Sequence, residues 1–121
     1  MTEEITRDKL KIIDLEKKLK KNLMALGFDF GLSGSHFIKD VLINISFSPR
    51  KIHSLSTEVM TQMASKENVS VKAIDKNIRW AINKAYNHGI LNKITVFAEK
   101  TPTIKQLINW LYDFFICDVS F

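Results

Sequence analysis

Apolar residues recur every three or four positions along almost the whole chain, while helix-breaking residues are scarce. The 121 residues include only four glycines and two prolines. Side chains three or four positions apart share one face of an α-helix, so this spacing predicts amphipathic helices rather than strands. We therefore predict an all-α domain of about six helices.

Interruptions in the pattern mark where these helices begin and end. The predicted helices are, in chain order, 2–26, 35–46, 51–67, 71–87, a short turn near 92–97, and 101–116. Ser56 or Thr57 is a suitable N-cap for the third helix. For the last helix we predict Thr101 as the N-cap, with Pro102 at the first helical position, where its missing N–H costs nothing.

The first helix carries a heptad-like seam that has two interpretations. Its apolar positions are Ile5, Ile12, Leu15, Leu19 and Leu26, with polar Asp8 and Asn22 at the other seam positions. Such a seam could pair two copies in a coiled coil, but it is short and twice polar. Packing of this helix on its own domain is the favoured interpretation.

The spacing of residues 56–87 fits a helix-turn-helix, in which two helices cross at a steep angle around a tight turn. Ala64 is small enough for the close contact between the helices. Asn68 stands where the turn needs a residue that tolerates positive φ, and Val69 is predicted to plug the core. Ser70 is then a preferred N-cap for the second helix.

The second helix of this motif has two contrasting faces. Its apolar face carries Val71, Ile74, Ile78, Ile82 and Ala85. The opposite face is cationic and rich in amides, as base edges require, since Arg and Lys pair with guanine, Asn with adenine, and a small residue allows close approach. We predict that this helix enters the major groove of duplex DNA, with base contacts from Lys72, Ala73, Lys76, Asn77, Arg79 and Asn83.

Phosphate contacts are expected from the turn and the flanks of the motif. The candidates are Arg50, Lys51, Lys66, Ser70 through its backbone N–H, and Lys84. Contacts of this kind position a protein on DNA and make its binding depend on salt, but they carry no sequence information.

Two residues of the second helix have more than one interpretation. Trp80 is predicted to be half-buried against a neighbouring helix, with packing on the sugar-phosphate backbone or on a second subunit as alternatives. Asp75 is predicted to form an i,i+4 ion pair with Arg79, with acceptance from a cytosine amino group as the alternative.

The charge distribution supports a nucleic-acid partner. The net charge is +5, and residues 39–100 hold ten Lys and Arg against five Asp and Glu, so the excess lies around the motif. A solvated helix face would carry charge as well, and basic charge by itself is weak support for nucleic-acid binding.

Other function classes find little support in the sequence. The three histidines share no metal-ligand spacing, and Cys117, the only cysteine, has no partner for a disulfide. No apolar run approaches the roughly 18 residues of a membrane span, and the charged N-terminus does not resemble a signal peptide. We expect a cytoplasmic protein that is not an enzyme, binds no metal or cofactor, and does not associate with membranes.

Three segments of the chain resemble one known family. Ile74–Gly89 is similar to the recognition helix and following turn of the C-terminal effector domain of the master sporulation response regulator, stage zero sporulation protein A. Leu15–Gly27 with Phe37–Leu42 resembles its opening helices, and Lys100–Thr103 resembles the start of its final helix.

The resemblance implies a winged-helix-like effector domain without a sheet over residues 14–116. Residues 1–13 are then a helical extension and 117–121 a tail. The likeness further implies transcription regulation by a pair of domains on tandem DNA sites, as a homodimer, and contact with an RNA polymerase sigma subunit. The family's receiver domain has no counterpart here, so the chain is either an excised effector domain or a natural relative without a receiver.

Departures from the family pattern affect the expected specificity. Lys72 and Ala73 stand where the family has Ser and Arg, and Trp80 replaces a His. The DNA target is therefore expected to differ from the family's usual box or to be bound more weakly. The alternative function is a protein-interaction module that keeps the fold and binds a protein partner, in a dimerisation or competitor role, through helix one or the aromatic C-terminal helix.

Overall fold

The computed structural model describes the backbone of residues 2–117 and the side chains of 10–115 except Thr95. Within this range the fold is all-helical without a strand, as predicted. The α-helices are α1 (Thr2–Ala25), α2 (Ser33–Phe47), α3 (Met60–Glu67), α4 (Val71–His88) and α5 (Ile104–Leu111). The described residues thus form five α-helices rather than six, because 90–100 contains only the short 3-10 turns Leu91–Lys93 and Thr95–Phe97.

The predicted third helix is divided into three pieces, which removes its predicted N-cap. The chain runs through a 3-10 turn (Pro49–Ser54) and a π segment (Leu55–Val59) before α3 begins. Ser56 and Thr57 lie inside the π segment and cap no helix end, because the chain is already helical there. Leu55 and Val59, four residues apart on one face of this segment, are both buried in the core.

The last helix begins two residues later than predicted. Its N-cap is Thr103, whose hydroxyl accepts from the Gln106 N–H at 3.2 Å, while the Gln106 side chain accepts from the Thr103 N–H at 3.0 Å. This reciprocal capping box satisfies two backbone donors. Thr101 offers no such pair, and Pro102 therefore precedes the cap instead of opening the helix.

The core is built around the contact between α2 and α4, the most extensive contact between two helices. Ile38, Leu42 and Ile45 of α2 and Ile74, Ile78 and Ile82 of α4 are all essentially inaccessible to solvent. The first turn of α2 lies directly on the α4 backbone, since a Cβ at Gly34 would stand 1.9 Å from the Asn77 carbonyl oxygen. This contact fixes where α4 sits and which of its faces is free.

Helix α1 packs on its own domain through its C-terminal half. Leu19 and Leu23 are buried against the core, whereas Leu10 and Ile13 are exposed. The favoured interpretation of the first helix is therefore confirmed for this half. The predicted seam residues Ile5 and Asp8 lie outside the side chains that the structure describes.

Candidate nucleic-acid interface

The turn between α3 and α4 has the predicted geometry at three of its four named positions. Asn68 adopts the left-handed conformation, with φ 57° and ψ 44°, and Ala64 is buried. The Ser70 hydroxyl accepts a hydrogen bond from the Ala73 N–H at 3.0 Å and so caps α4. These local interactions establish the angle at which α4 leaves α3.

Val69 does not plug the core, and this prediction is wrong. Its side chain is 43% exposed, because the left-handed turn at Asn68 and the hydrogen bond from the Val69 N–H to the Ala64 carbonyl direct it outwards. Val71, two residues later, packs against the core instead.

Loss of the α4 cap should measurably destabilise the domain. We expect Ser70→Ala to lower the free energy of unfolding by about 1 kcal/mol, because the Ala73 N–H loses its acceptor. Urea denaturation of the variant measures the change. Ser65→Ala, an exposed serine inside α3, is the matched control and should be nearly neutral; equal stability losses in the two variants would contradict the capping role.

The two predicted faces of α4 are present in the structure. Ile74, Ile78, Ile82 and Ala85 are buried, and Val71 is partly buried. Among the predicted base-contact residues, Lys72, Lys76, Asn77, Arg79 and Asn83 are exposed and Ala73 is partly exposed. Helical periodicity places Lys72, Lys76, Arg79 and Asn83 within about 60° of one another around the axis, so they form one edge. We call these four residues the polar edge.

Arg79 forms the predicted ion pair with Asp75. Its Nε donates to the Asp75 carboxylate at 2.7 Å, and the Arg79 side chain is 69% exposed. A single bond through Nε leaves the Nη groups of the guanidinium available to another acceptor. An exposed pair of this type adds little stability, so its main effect is to orient the guanidinium.

Trp80 is exposed, contrary to the half-buried position predicted for it. Its relative exposure is 64%, because none of the helices that the structure describes covers this side of α4. The indole lies at a shallow groove that Asn83, Lys84 and Asn87 also line. A large aromatic ring is therefore presented beside the polar edge.

Lys84 is engaged with a carboxylate from the loop after α1. Its Nζ lies 2.8 Å from Asp29, and that carboxylate also accepts from the Gly31 N–H. The hydrogen bond from Lys84, together with that from Gly31, holds the pKa of Asp29 below its usual value. A phosphate would have to compete with or share Lys84 with Asp29, a relation that sequence spacing does not reveal.

The remaining predicted phosphate contacts lie at separate places. Arg50 is exposed and Lys51 half-buried in the 3-10 turn before the π segment. Lys66 borders a groove that it shares with Glu16 and Asp40. Burial raises the pKa of Asp40 above its usual value, and nearby lysines, including Lys66, offset only part of this rise. Lys66 is therefore in more acidic surroundings than its sequence neighbours suggest.

The described part of the chain contains neither a metal cluster nor a membrane-spanning helix. No group of three or more His, Cys, Asp or Glu side chains in this part of the chain is arranged to hold a metal ion. None of the helices described is sufficiently long and apolar to cross a membrane.

Comparison with known proteins matches this chain to a family. The family model described as "Sporulation initiation factor Spo0A C terminal" matches residues 19–113, from the packed half of α1 to the end of α5. No curated protein matches the chain. The matched family is one of DNA-binding domains that regulate sporulation transcription, and it is not an enzyme family. The chain belongs to the family of Spo0A C-terminal effector domains, as its sequence resemblance implied.

Proposed function

We propose that this domain is a sequence-selective regulator of transcription that inserts α4 into the major groove of duplex DNA. The observation that carries the proposal is the polar edge of α4, which no other described element covers, while the isoleucines on the other side are buried. An exposed helix edge with this composition can follow the floor of a major groove, which is wide enough to admit one α-helix.

Each residue type among the predicted base contacts suits a particular base. Arg79 and Lys76 can donate to the O6 and N7 acceptors of guanine, and Asn77 and Asn83 can make bidentate contacts to adenine. Ala73 near the start of α4 leaves space for a thymine methyl group. With Lys72, these residues constitute the proposed base-reading set.

The proposed backbone contacts are Arg50, Lys51, Lys66, the Ser70 N–H and Lys84. They would supply affinity that falls with salt. Binding as a homodimer on tandem sites and contact with an RNA polymerase sigma subunit are the further parts of the proposal. They rest on membership of the family.

Selection from a random duplex library tests the proposal directly. We expect enrichment of a short motif, and two copies in the same orientation if two domains bind in tandem. The enriched duplex should bind more tightly than an unrelated duplex of the same length. Recovery of DNA without a common motif, at a salt concentration low enough to retain DNA, would contradict sequence-selective binding.

A protein-interaction module is the second candidate function, and one surface feature favours it. Phe114 is 56% exposed and stacks on Trp110 with their ring centroids 4.8 Å apart. Exposed aromatic residues are frequent in protein interfaces. A dimer that forms without DNA, seen by light scattering, together with no retention of DNA at low salt would favour this function.

A further inference from the structure

A cleft of about 340 Å³ with a mixed polar and apolar lining runs along one side of α4. Its walls come from residues 52–57, from Asp75 and Arg79 of α4, and from the start of α5. A shallower groove continues it, where Arg79 and Asn83 border residues 101–104. We call residues 101–105 the α5 flank. The polar edge of α4 therefore adjoins the α5 flank, although the two are separate in sequence.

Two cations, Arg79 and Lys105, and one acid, Asp75, line this cleft, and Glu58 lies beside it as the acceptor of a hydrogen bond from Ser54. Asp75 is the one acid among the described residues that line it, and it is already paired with Arg79 at 2.7 Å. Lys105 is exposed and forms no ion pair within the described part of the chain. Exposed Ser56 and Thr57 also line the cleft and add two hydroxyl donors to it.

The opposite side of α4 is different. Its cation, Lys84, is held at 2.8 Å by Asp29, and each side chain is about 45% exposed. Lys105 on the α5 flank therefore differs from Lys84, because no carboxylate among the described residues is paired with it.

With α4 in the major groove, the widths of the helix and of the groove place a DNA strand beside this flank. A helix with its side chains is roughly 10–12 Å across, and the major groove is about 12 Å wide, so a bound helix has a phosphate backbone along each side. With the polar edge facing the bases, one backbone must run along the α5 flank.

We propose that Lys105, with the hydroxyls of Ser56 and Thr57 in the same cleft, binds a phosphate of the DNA strand on the α5 side of α4. This inference rests on the function proposed above and assigns a contact to a residue that sequence spacing did not indicate. The contact is electrostatic, so it adds affinity for every duplex and does not distinguish one base sequence from another.

The salt dependence of binding tests this contact. Lys105→Ala is expected to reduce the slope of log K against log salt by about 0.9, the contribution of one phosphate contact. The reduction should be equal for a library-selected duplex and for an unrelated mixed-sequence duplex of the same length. Lys18→Ala, an exposed lysine of α1, is the matched control and should leave the slope unchanged. Lys105→Arg should restore it.

A scan with uncharged methylphosphonate linkages locates the contact. Wild-type protein should bind less tightly when one particular linkage is neutralised, and Lys105→Ala should be insensitive to that same linkage. If Lys105→Ala behaves like Lys18→Ala while DNA is still bound, only this assignment is overturned. If neither duplex is retained even at low salt, the proposed DNA-binding function is overturned with it.

Discussion

Gly34→Ala is expected to destabilise the domain by about 3 kcal/mol, near the upper end for an overpacked core. A Cβ at this position would stand 1.9 Å from the Asn77 carbonyl oxygen and 2.9 Å from the Ala81 Cβ. The obstacle is mostly backbone, so no side-chain rotation can relieve it, and α2 must move away from α4. Equilibrium unfolding in urea gives the change in free energy.

Gly31→Ala is the matched control for this prediction. Its new Cβ would meet Asp29 Oδ1 at 3.0 Å, the oxygen that accepts from the Gly31 N–H, so only a small shift of a partly exposed carboxylate is needed. We expect its stability to stay within about 0.5 kcal/mol of wild type. A Gly34→Ala domain as stable as the Gly31→Ala domain would show that α2 and α4 are farther apart than described.

Arg79→Ala is expected to weaken binding to the selected duplex by roughly 1–3 kcal/mol, the usual loss for a bidentate contact to guanine. Arg79 lies in the middle of the polar edge, and its pairing with Asp75 through Nε leaves the outer guanidinium nitrogens available. The loss should be largest for the preferred base and small for a duplex mutated there. Competition titrations with duplexes changed at one base pair measure this difference.

Arg79→Lys separates a base contact from a simple charge contact. Lysine keeps the positive charge but lacks the planar fork, so it should retain binding to unrelated DNA and lose discrimination. If the Ala and Lys variants both discriminate between bases as well as wild type, Arg79 does not read sequence. An Arg79→Lys variant indistinguishable from wild type, alongside a weakened Arg79→Ala, would instead assign Arg79 to a phosphate.

Much of α4 and its turn could be predicted from local sequence. Ser70 caps the helix and Asn68 adopts positive φ because these effects depend on residues within one turn of each other. The two faces of α4 follow from periodicity for the same reason. The Asp75–Arg79 pair was predictable too, since both partners are on one helix, four positions apart.

The predictions for Val69, Trp80 and the start of α5 failed for different reasons. Val69 and Trp80 are exposed because of the direction of the chain at the turn and the absence of a covering helix among the described elements. The N-cap of α5 is Thr103 because a capping box between Thr103 and Gln106 provides two hydrogen bonds that Thr101 lacks, and this local Thr-x-x-Gln pattern is visible in the sequence. Composition and periodicity do not report either effect.

The sequence alone was enough to establish an all-helical domain of this family, with an amphipathic α4 after a left-handed turn. The reason is that helix faces, caps and turns are interactions between residues at most a few positions apart. The tertiary structure alone decided that Asp29 holds Lys84, that Gly34 rests on α4, and that Lys105 borders the cleft beside Arg79. Those relations join residues far apart in the chain, and the packing of the core is what brings them together.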